Sequence, residues 1–416
     1  MRQATVLDNG VRIVTEAMAS VRSVSLGIWV NTGARQDTIS GIAHFTEHML
    51  FKGTQRRSAL QISKEIDALG GILNASTSKE YTVYYVKVLD EHLPKAADVL
   101  FDLFLNSTID EGELAKEKDV ILQEIHMTED TPDDYINDLF AESVFRGSSL
   151  SRPILGSHDS VSSITASDIR DFMAEFYDPV SIVIVAAGSV DHQRLVELAR
   201  THFDGLKLRP RPLTEPASLA LGERKLYYKD LEQVQITLGV KGPAMHDERR
   251  WAYLVLNNLL GGSMSSMLFQ EVREKLGLVY SVYSYLSAYR DCGALTIYAG
   301  TTPKNVGKAI EVCCNQFKRL KAGDFGDLSL DDVKEQIKGS LMLSREGTES
   351  RMSANAKNEL YFHREVPIEE IIARVQGVTN DELIALAAEI FRPEALSLVT
   401  LGKLGESQLD LTPLKL

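Results

Sequence analysis

The segment His44-Phe45-Thr46-Glu47-His48 carries residue types that could bind a metal ion and use it in catalysis. Because His44 and His48 are four residues apart, both imidazoles leave the same face of a helix and could share one ion. Glu47 lies at the edge of that face, where its carboxylate could reach a water on the ion without binding the ion itself. Two histidines, one carboxylate and an open fourth position form the usual catalytic zinc site. The alternative is that both histidines are ordinary surface or core residues.

Carboxylates that could complete such a site lie in a second predicted helix. Glu117 and Glu124 are seven residues apart, which places them two turns apart on one helix face. Taken alone, the pair would indicate a solvated helix face, and only its position after the histidine motif makes it a candidate. The order His-x-x-Glu-His is the inverted form of the common zinc-peptidase motif. The chain has no Gly-x-Ser-x-Gly motif of the kind that presents a serine nucleophile.

Apolar spacing predicts the elements that must position these residues. Residues 41–51 are expected to form a short helix, and residues 93–105 and 114–128 also have helical spacing. Residues 81–89 are rich in β-branched and aromatic side chains, which is typical of a strand. Pro132 should break or restart the helix that carries Glu124.

The chain repeats itself once, at about half its length. Leu26-Gly27-Ile28 corresponds to Leu238-Gly239-Val240 at an offset of 212, and Ile164-Thr165 corresponds to Val378-Thr379 at an offset of 214. A nearly constant offset of this size indicates a duplicated domain rather than a short solenoid repeat. We therefore expect an α+β protein with two similar domains, each a mainly antiparallel sheet with helices packed on one side.

The segment between the two halves contains three prolines in the eight residues 209–216, which is typical of an extended linker. We predict a metal-binding domain at residues 1–208, a linker at 209–217 and a second domain at 218–416. At an offset of 212 the motif positions are occupied by Leu256, Leu259 and Leu260. Leucines at these positions would fill a core, so the metal site should occur only in the first domain.

Composition limits the possible functions. The 416 residues are too many for one ordinary core, and the net charge of −13 argues against a nucleic-acid partner. Three cysteines give no disulfide framework, which suits a reducing compartment. No apolar run is long enough for a signal peptide or a membrane span. We expect a cytoplasmic protein with no membrane partner, unless an organellar presequence is missing from this chain.

Together these residues resemble the pitrilysin/insulinase superfamily of inverted-motif zinc metallopeptidases, and within it the mitochondrial processing peptidase β-subunit and its short bacterial relatives. The resemblance runs over nearly the whole chain. It implies one Zn²⁺ per chain, bound by His44, His48 and Glu124, with Glu47 as general base. It also implies that Glu117 supports the site without binding the metal.

The same resemblance implies how a peptide substrate is held. The residues matching the family's substrate-binding sheet edge are Ile72, Leu73, Asn74 and Ala75, although as bare sequence they indicate only a turn and a short strand. Arg273 and Tyr280 match an Arg and a Tyr that assist the oxyanion, either in the same chain or at the site of a partner chain. The alternative for this pair is an exposed helix end and a strand tyrosine.

Asp134 and Asp138 are four residues apart and should share a face of the helix that begins at Pro132. In processing peptidases, acidic residues of this region receive an arginine near the cleavage site, whereas the plain alternative is a solvated acidic face. The resemblance further implies a homodimer, or a heterodimer with an inactive relative. The rival function is a non-catalytic scaffold or partner subunit of the same fold.

Overall fold

The structure, a computed structural model, describes residues 2–209, 215–405 and 414. Residues 210–214 of the predicted linker lie outside the described residues. The strands are β1 Arg2–Val6, β2 Arg12–Ala17, β3 Ser23–Val30, β4 Ile72–Thr77, β5 Thr82–Leu89, β6 Ile182–Gly188, β7 Arg224–Tyr228, β8 Val234–Lys241, β9 Val279–Ala288, β10 Gly293–Thr301 and β11 Ser397–Gly402.

The helices of the first half are α1 Ile42–Leu50, α2 Ala59–Ala68, α3 Leu93–Asn106, α4 Glu111–Asp130, α5 Pro132–Val144, α6 His158–Ser163, α7 Ala166–Phe176 and α8 His192–Phe203. Those of the second half are α9 Arg250–Gly261, α10 Val306–Lys321, α11 Leu330–Ser344, α12 Thr348–Phe362, α13 Ile368–Gly377 and α14 Asn380–Ile390. A π-helical segment spans Phe269–Lys275. None of the described helices is long and apolar enough to cross a membrane.

The chain forms two compact units, each built from three segments. The first unit comprises Met1–Met127, Arg152–Glu215 and Ser344–Glu365, and the second comprises Thr128–Ser151, Pro216–Leu343 and Val366–Leu416. Each unit therefore contains a helix from the other half of the sequence: α12 belongs to the first and α5 to the second. A boundary at residues 209–217 would place α5 in the first domain and α12 in the second. The compact units differ from the predicted division in these two helices.

The first unit has a sheet with the described strand order β1-β2-β6-β3-β5-β4. Only the pairing of β2 with β6 is parallel among these described strands, so the sheet is mainly antiparallel. Alternate residues of β3, namely Val24, Leu26, Ile28 and Val30, are fully buried in one core with residues of α1, α3, α7 and α8. This arrangement follows from the two-residue period of a strand, which sends alternate side chains to one face.

Helix α12 covers the opposite face of this sheet and contacts β2, β3 and β6. Ser25 on β3 and Thr348 on α12 share a buried hydrogen bond of 2.8 Å. A Cβ atom on Gly27 would lie 3.0 Å from the sulfur of Met352 on α12, so the helix lies close to the strand. The prediction of helices on one side of each sheet thus omitted this second layer.

The second unit repeats the plan with the described strand order β7-β11-β8-β10-β9, in which β7 and β11 are parallel. Its core lies between the sheet and helices that include α9, α10 and α14. Helix α5 contacts β8 and β11. The two mainly antiparallel sheets with their helices confirm the predicted α+β class.

Candidate metal centre

Helix α1 presents the histidine motif because its other face is anchored in the core. Ile42, Phe45 and Met49 are fully buried. The helix begins after Gly41, whose φ of 91° is the left-handed conformation that glycine adopts without strain. The carboxylate of Asp37 accepts hydrogen bonds from the N–H groups of Gly41 at 2.6 Å and Ala43 at 3.1 Å. Burial raises the pKa of Asp37 to about 7, against the opposing effect of these two donors.

The structure brings His44, His48 and Glu124 together. One ligand atom of each side chain lies within 4.8 Å of the others. The Nε2 atoms of His44 and His48 are 3.8 and 3.5 Å from Oε2 of Glu124 on α4. The imidazole centroids are 4.6 Å apart with the rings inclined at 65°, so both rings leave α1 on one side. Two imidazole nitrogens and a carboxylate oxygen are the donor set of a catalytic zinc site.

Glu117 contacts the outer nitrogen of one of these histidines. Nδ1 of His48 donates to Oε2 of Glu117 at 2.9 Å, and Nζ of Lys52 lies 2.5 Å from Oε1 of the same carboxylate. Glu117 is buried and Lys52 partly buried. With its proton on Nδ1, His48 keeps the lone pair of Nε2 free for a metal ion.

His44 is prepared for metal binding by its surroundings. Burial, with a smaller effect of His48, lowers the pKa of His44 to about 3. The ring is therefore neutral near pH 7, which a metal ligand requires. Its Nδ1 is buried without a hydrogen-bond partner in the described part of the chain. The neutral His44 ring, with His48 and Glu124 already beside it, fits a zinc ion.

Glu47 lies beside the three candidate ligands and is held by strand β4. Oγ1 of Thr77 donates to Oε2 of Glu47 at 2.5 Å. Burial raises the pKa of Glu47, and the hydrogen bonds from Thr77 oppose that rise. A carboxylate with a raised pKa is a stronger proton acceptor than a solvated one.

The four residues predicted to bind a peptide backbone occupy β4, the outermost strand of the described sheet on that side. Side chains alternate along it: Ile72 and Asn74 are exposed, whereas Leu73 and Ala75 are half-buried. Helix α1 contacts β4. The structure thus places Ile72, Leu73, Asn74 and Ala75 on a strand adjacent to the helix that carries His44 and His48.

Other predicted site residues belong to the second unit and are not among the residues gathered around His44. The Arg273 guanidinium lies in the π-helical segment, 4.7 Å from the Phe269 ring centroid and 5.9 Å from that of Tyr280. Tyr280 is 76% exposed. Asp134 is exposed and Asp138 half-buried, and both lie on α5, which begins at Pro132 as predicted. The three leucines at the positions of the lost motif, Leu256, Leu259 and Leu260, are fully buried on α9.

Two residues of the site were missed by sequence reasoning. Thr77 lies on the same side of β4 as Leu73 and Ala75, the side that faces α1. A polar residue in this otherwise apolar series was the available signal for a functional contact. Lys52 follows the end of α1, four residues after His48. The spacing of four residues from His48 was the only sequence signal that Lys52 would lie near Glu117.

Comparison with protein families matches both halves of the chain. Residues 12–158 match the family described as "Insulinase (Peptidase family M16)", and residues 163–337 match "Peptidase M16 inactive domain". A Bacillus subtilis protein named "Uncharacterized zinc protease YmxG" is 44% identical, with 94% of this chain and 96% of that protein covered. A Streptomyces coelicolor protein, also named an uncharacterized zinc protease, is 42% identical, with 97% and 90% covered.

The fold has a close counterpart among solved structures. The crystal structure of a protease from Helicobacter pylori superposes with a TM-score of 0.91 and 23% sequence identity, covering 97% of this chain and 99% of that one. At this identity the likeness concerns the fold, whereas the family follows from the sequence matches. The chain belongs to peptidase family M16, the insulinase family.

Proposed function

We propose that this protein is a zinc-dependent endopeptidase that cleaves extended peptide segments. The observation that carries the proposal is the convergence of His44, His48 and Glu124 beside the carboxylate of Glu47. A non-catalytic scaffold would have no need of a neutral buried histidine or of a carboxylate held next to it. The names of the relatives, which call them zinc proteases, also support the choice of metal.

The contacts of each residue indicate its role in the proposed reaction. When bound, zinc supplies Lewis acidity, which polarises a peptide carbonyl and makes water more acidic. His44 and His48 would hold the ion through Nε2, and Glu124 through Oε2. Glu117 would keep His48 in the tautomer that leaves Nε2 free.

Glu47 would act as the proton carrier. Its Oε2 is occupied by Thr77, which leaves Oε1 to take a proton from the attacking water and return it to the leaving amine. Burial raises the pKa of Glu47, which makes its carboxylate a stronger proton acceptor than a solvated one.

The experiment that tests this function separates metal binding from proton transfer. Glu47→Gln should retain zinc and lose hydrolysis of extended fluorogenic peptides by about 10²-fold or more. Glu124→Gln should lose both, and a chelator should abolish wild-type activity until zinc is restored. A Glu47→Gln protein that no longer binds zinc would show that Glu47 is a ligand. Wild-type protein that holds zinc but cuts no peptide would favour the scaffold.

The proposal includes the substrate-contacting residues. Ile72, Leu73, Asn74 and Ala75 lie on an outer strand, which an extended peptide could join through main-chain hydrogen bonds. Arg273 and Tyr280 are proposed to stabilise the oxyanion, in the same chain or in a partner chain. Tyr280→Phe should then lower kcat with little change in zinc content.

We also propose a cytoplasmic homodimer that admits unfolded peptides. Cys292, Cys313 and Cys314 are buried and are not joined in a disulfide, which is compatible with a reducing compartment. Analytical ultracentrifugation should find a dimer, and a stable folded protein should resist digestion. Full activity in a strictly monomeric preparation would contradict the dimer.

A further inference from the structure

The carboxylate of Glu47 is held by a residue that the proposed reaction has not yet used. Thr77 donates to Glu47 through Oγ1, at 2.5 Å from Oε2. Thr77 is the last residue of β4 and lies on the half-buried face of that strand. The general base is therefore attached to the same strand that is proposed to bind the peptide.

Backbone hydrogen bonds hold the segment that follows Thr77, so the position of Thr77 is fixed. The N–H groups of Ala34 and Arg35 donate to the carbonyl oxygens of Ser78 and Lys79 at 3.0 and 2.7 Å. A Cβ atom on Gly33 would lie only 2.2 Å from the Ser78 carbonyl oxygen, so the two backbone segments are in direct contact.

An ion pair also holds this segment. Arg35 lies 2.6 Å from Glu80, and both side chains are almost completely buried. Tyr361 donates to the other oxygen of Glu80 at 3.0 Å. A turn held by buried charge-assisted hydrogen bonds has little freedom to carry Thr77 away from Glu47.

A glutamate side chain has three rotatable bonds, whereas a general base must stay within hydrogen-bond reach of the proton that it takes. A short hydrogen bond from a residue in a fixed position restricts Glu47 to a narrow range of positions. Since the hydroxyl is directed at Oε2, Oε1 remains available for the proton.

We propose that Thr77 is a positioning residue of the peptidase reaction: it holds Glu47 so that Oε1 faces the attacking water. The inference rests on the proposed function, because it assigns Thr77 a part in that reaction. Thr77 itself touches neither the reacting atoms nor the metal ligands in this assignment.

The test compares two variants of the full-length zinc-loaded protein. Thr77→Val keeps the branched shape and the N–H but removes the hydroxyl, whereas Thr77→Ser keeps the hydroxyl. Thr77→Val should lower kcat about tenfold to a hundredfold, the range expected for loss of a hydrogen bond to a charged group. KM and zinc content should not change, and Thr77→Ser should stay within about threefold of wild type.

A merely structural role predicts a different pattern. Thr77→Val would then lower thermal stability and raise KM without a selective loss of kcat, and Thr77→Ser would not restore it. A Thr77→Val protein with wild-type kcat would overturn the positioning role while leaving the proposed function intact.

Crystal structures of the zinc-free proteins give a readout that does not depend on hydrolysis. Glu47 should occupy one rotamer in wild type and Thr77→Ser but several in Thr77→Val. An unchanged single rotamer in Thr77→Val would overturn the inference. If wild type cut no peptide, the proposed function would fail, and loss of the fixed Glu47 rotamer in Thr77→Val would show only that Thr77 orients this carboxylate.

Discussion

The glycine at the centre of β8 allows α5 to lie directly on the second sheet. A Cβ atom built on Gly239 would lie 2.1 Å from Cζ and 2.6 Å from Cε2 of Phe140. Phe140 is buried on α5. Atoms of real side chains do not approach this closely, so Gly239→Ala must displace the aromatic ring or the helix that carries it.

The size of the effect follows from two opposing contributions. Overpacking of a well-packed core costs about 1–3 kcal/mol, and a displacement this large belongs at the upper end. Replacing glycine by alanine within a strand recovers about 0.5–1 kcal/mol of backbone entropy. We therefore expect Gly239→Ala to destabilise the second unit by about 2 kcal/mol.

A matched control exists in the first unit. A Cβ atom on Gly27 would lie 3.0 Å both from the sulfur of Met352, a flexible side chain, and from Nε1 of Trp29, so each neighbour needs to move by only a few tenths of an ångström. Gly27→Ala should therefore change stability by less than about 1 kcal/mol. The difference in unfolding free energy between Gly239→Ala and Gly27→Ala is therefore a sharper test of the Phe140 contact than either value alone.

The two tryptophans allow each unit to be followed separately. Trp29 lies in the first unit and Trp251 in the second, so a Trp29→Phe background reports urea unfolding around Trp251. Phe140→Leu should relieve the Gly239→Ala clash, giving a coupling of at least about 1 kcal/mol in a double-mutant cycle. Additivity within about 0.5 kcal/mol would refute the proposed contact.

Two further predictions concern charge. Burial alone would raise the pKa of Asp102, but hydrogen bonds from Thr54 and Arg57 outweigh it and hold the pKa at about 2. Because the unfolded value is near 3.8, this stabilisation is present above pH 4 and is lost as pH falls towards 2. The stability difference between wild type and Asp102→Asn, measured by urea unfolding, should shrink over that range. Separately, Asp134→Asn with Asp138→Asn should slow cleavage of peptides that carry Arg or Lys just before the cut and spare neutral peptides. Equal slowing of both peptide classes would show that these carboxylates do not set specificity.

The local elements could be predicted from the sequence because each is defined by its own apolar pattern. The helix expected at residues 41–51 spans Ile42–Leu50, and the strand expected at 81–89 spans Thr82–Leu89. Helix α4 extends the predicted 114–128 by three residues at its start and two at its end. The candidate metal ligands on α1 could be proposed for the same reason, since spacing along one helix decides which side chains share a face.

Contacts between distant segments could not be predicted in this way. Thr77 reaches Glu47 only because β4 pairs with β5 and lies against α1. Lys52 reaches Glu117 only because α4 passes the end of α1. Spacing within one element carries no information on how two elements meet, so neither contact left more than a weak signal.

Each half of the sequence supplies a helix to the sheet of the other half. The sequence carries one sign of this arrangement, which is a glycine at the same repeat position in both halves. Gly27 and Gly239 differ by the repeat offset of 212, and so do Phe140 and Met352, the residues that press on them. A glycine inside a buried strand weakens the strand unless something requires its small size. Here a helix packs on the second face of the sheet. At the point of contact the strand must therefore have a residue without a side chain. Since the first half supplies the helix for the second sheet and the second half supplies it for the first, the two halves depend on each other for a complete fold. That dependence gives a physical reason for the second half to keep its sheet and its glycine although its motif positions hold leucines.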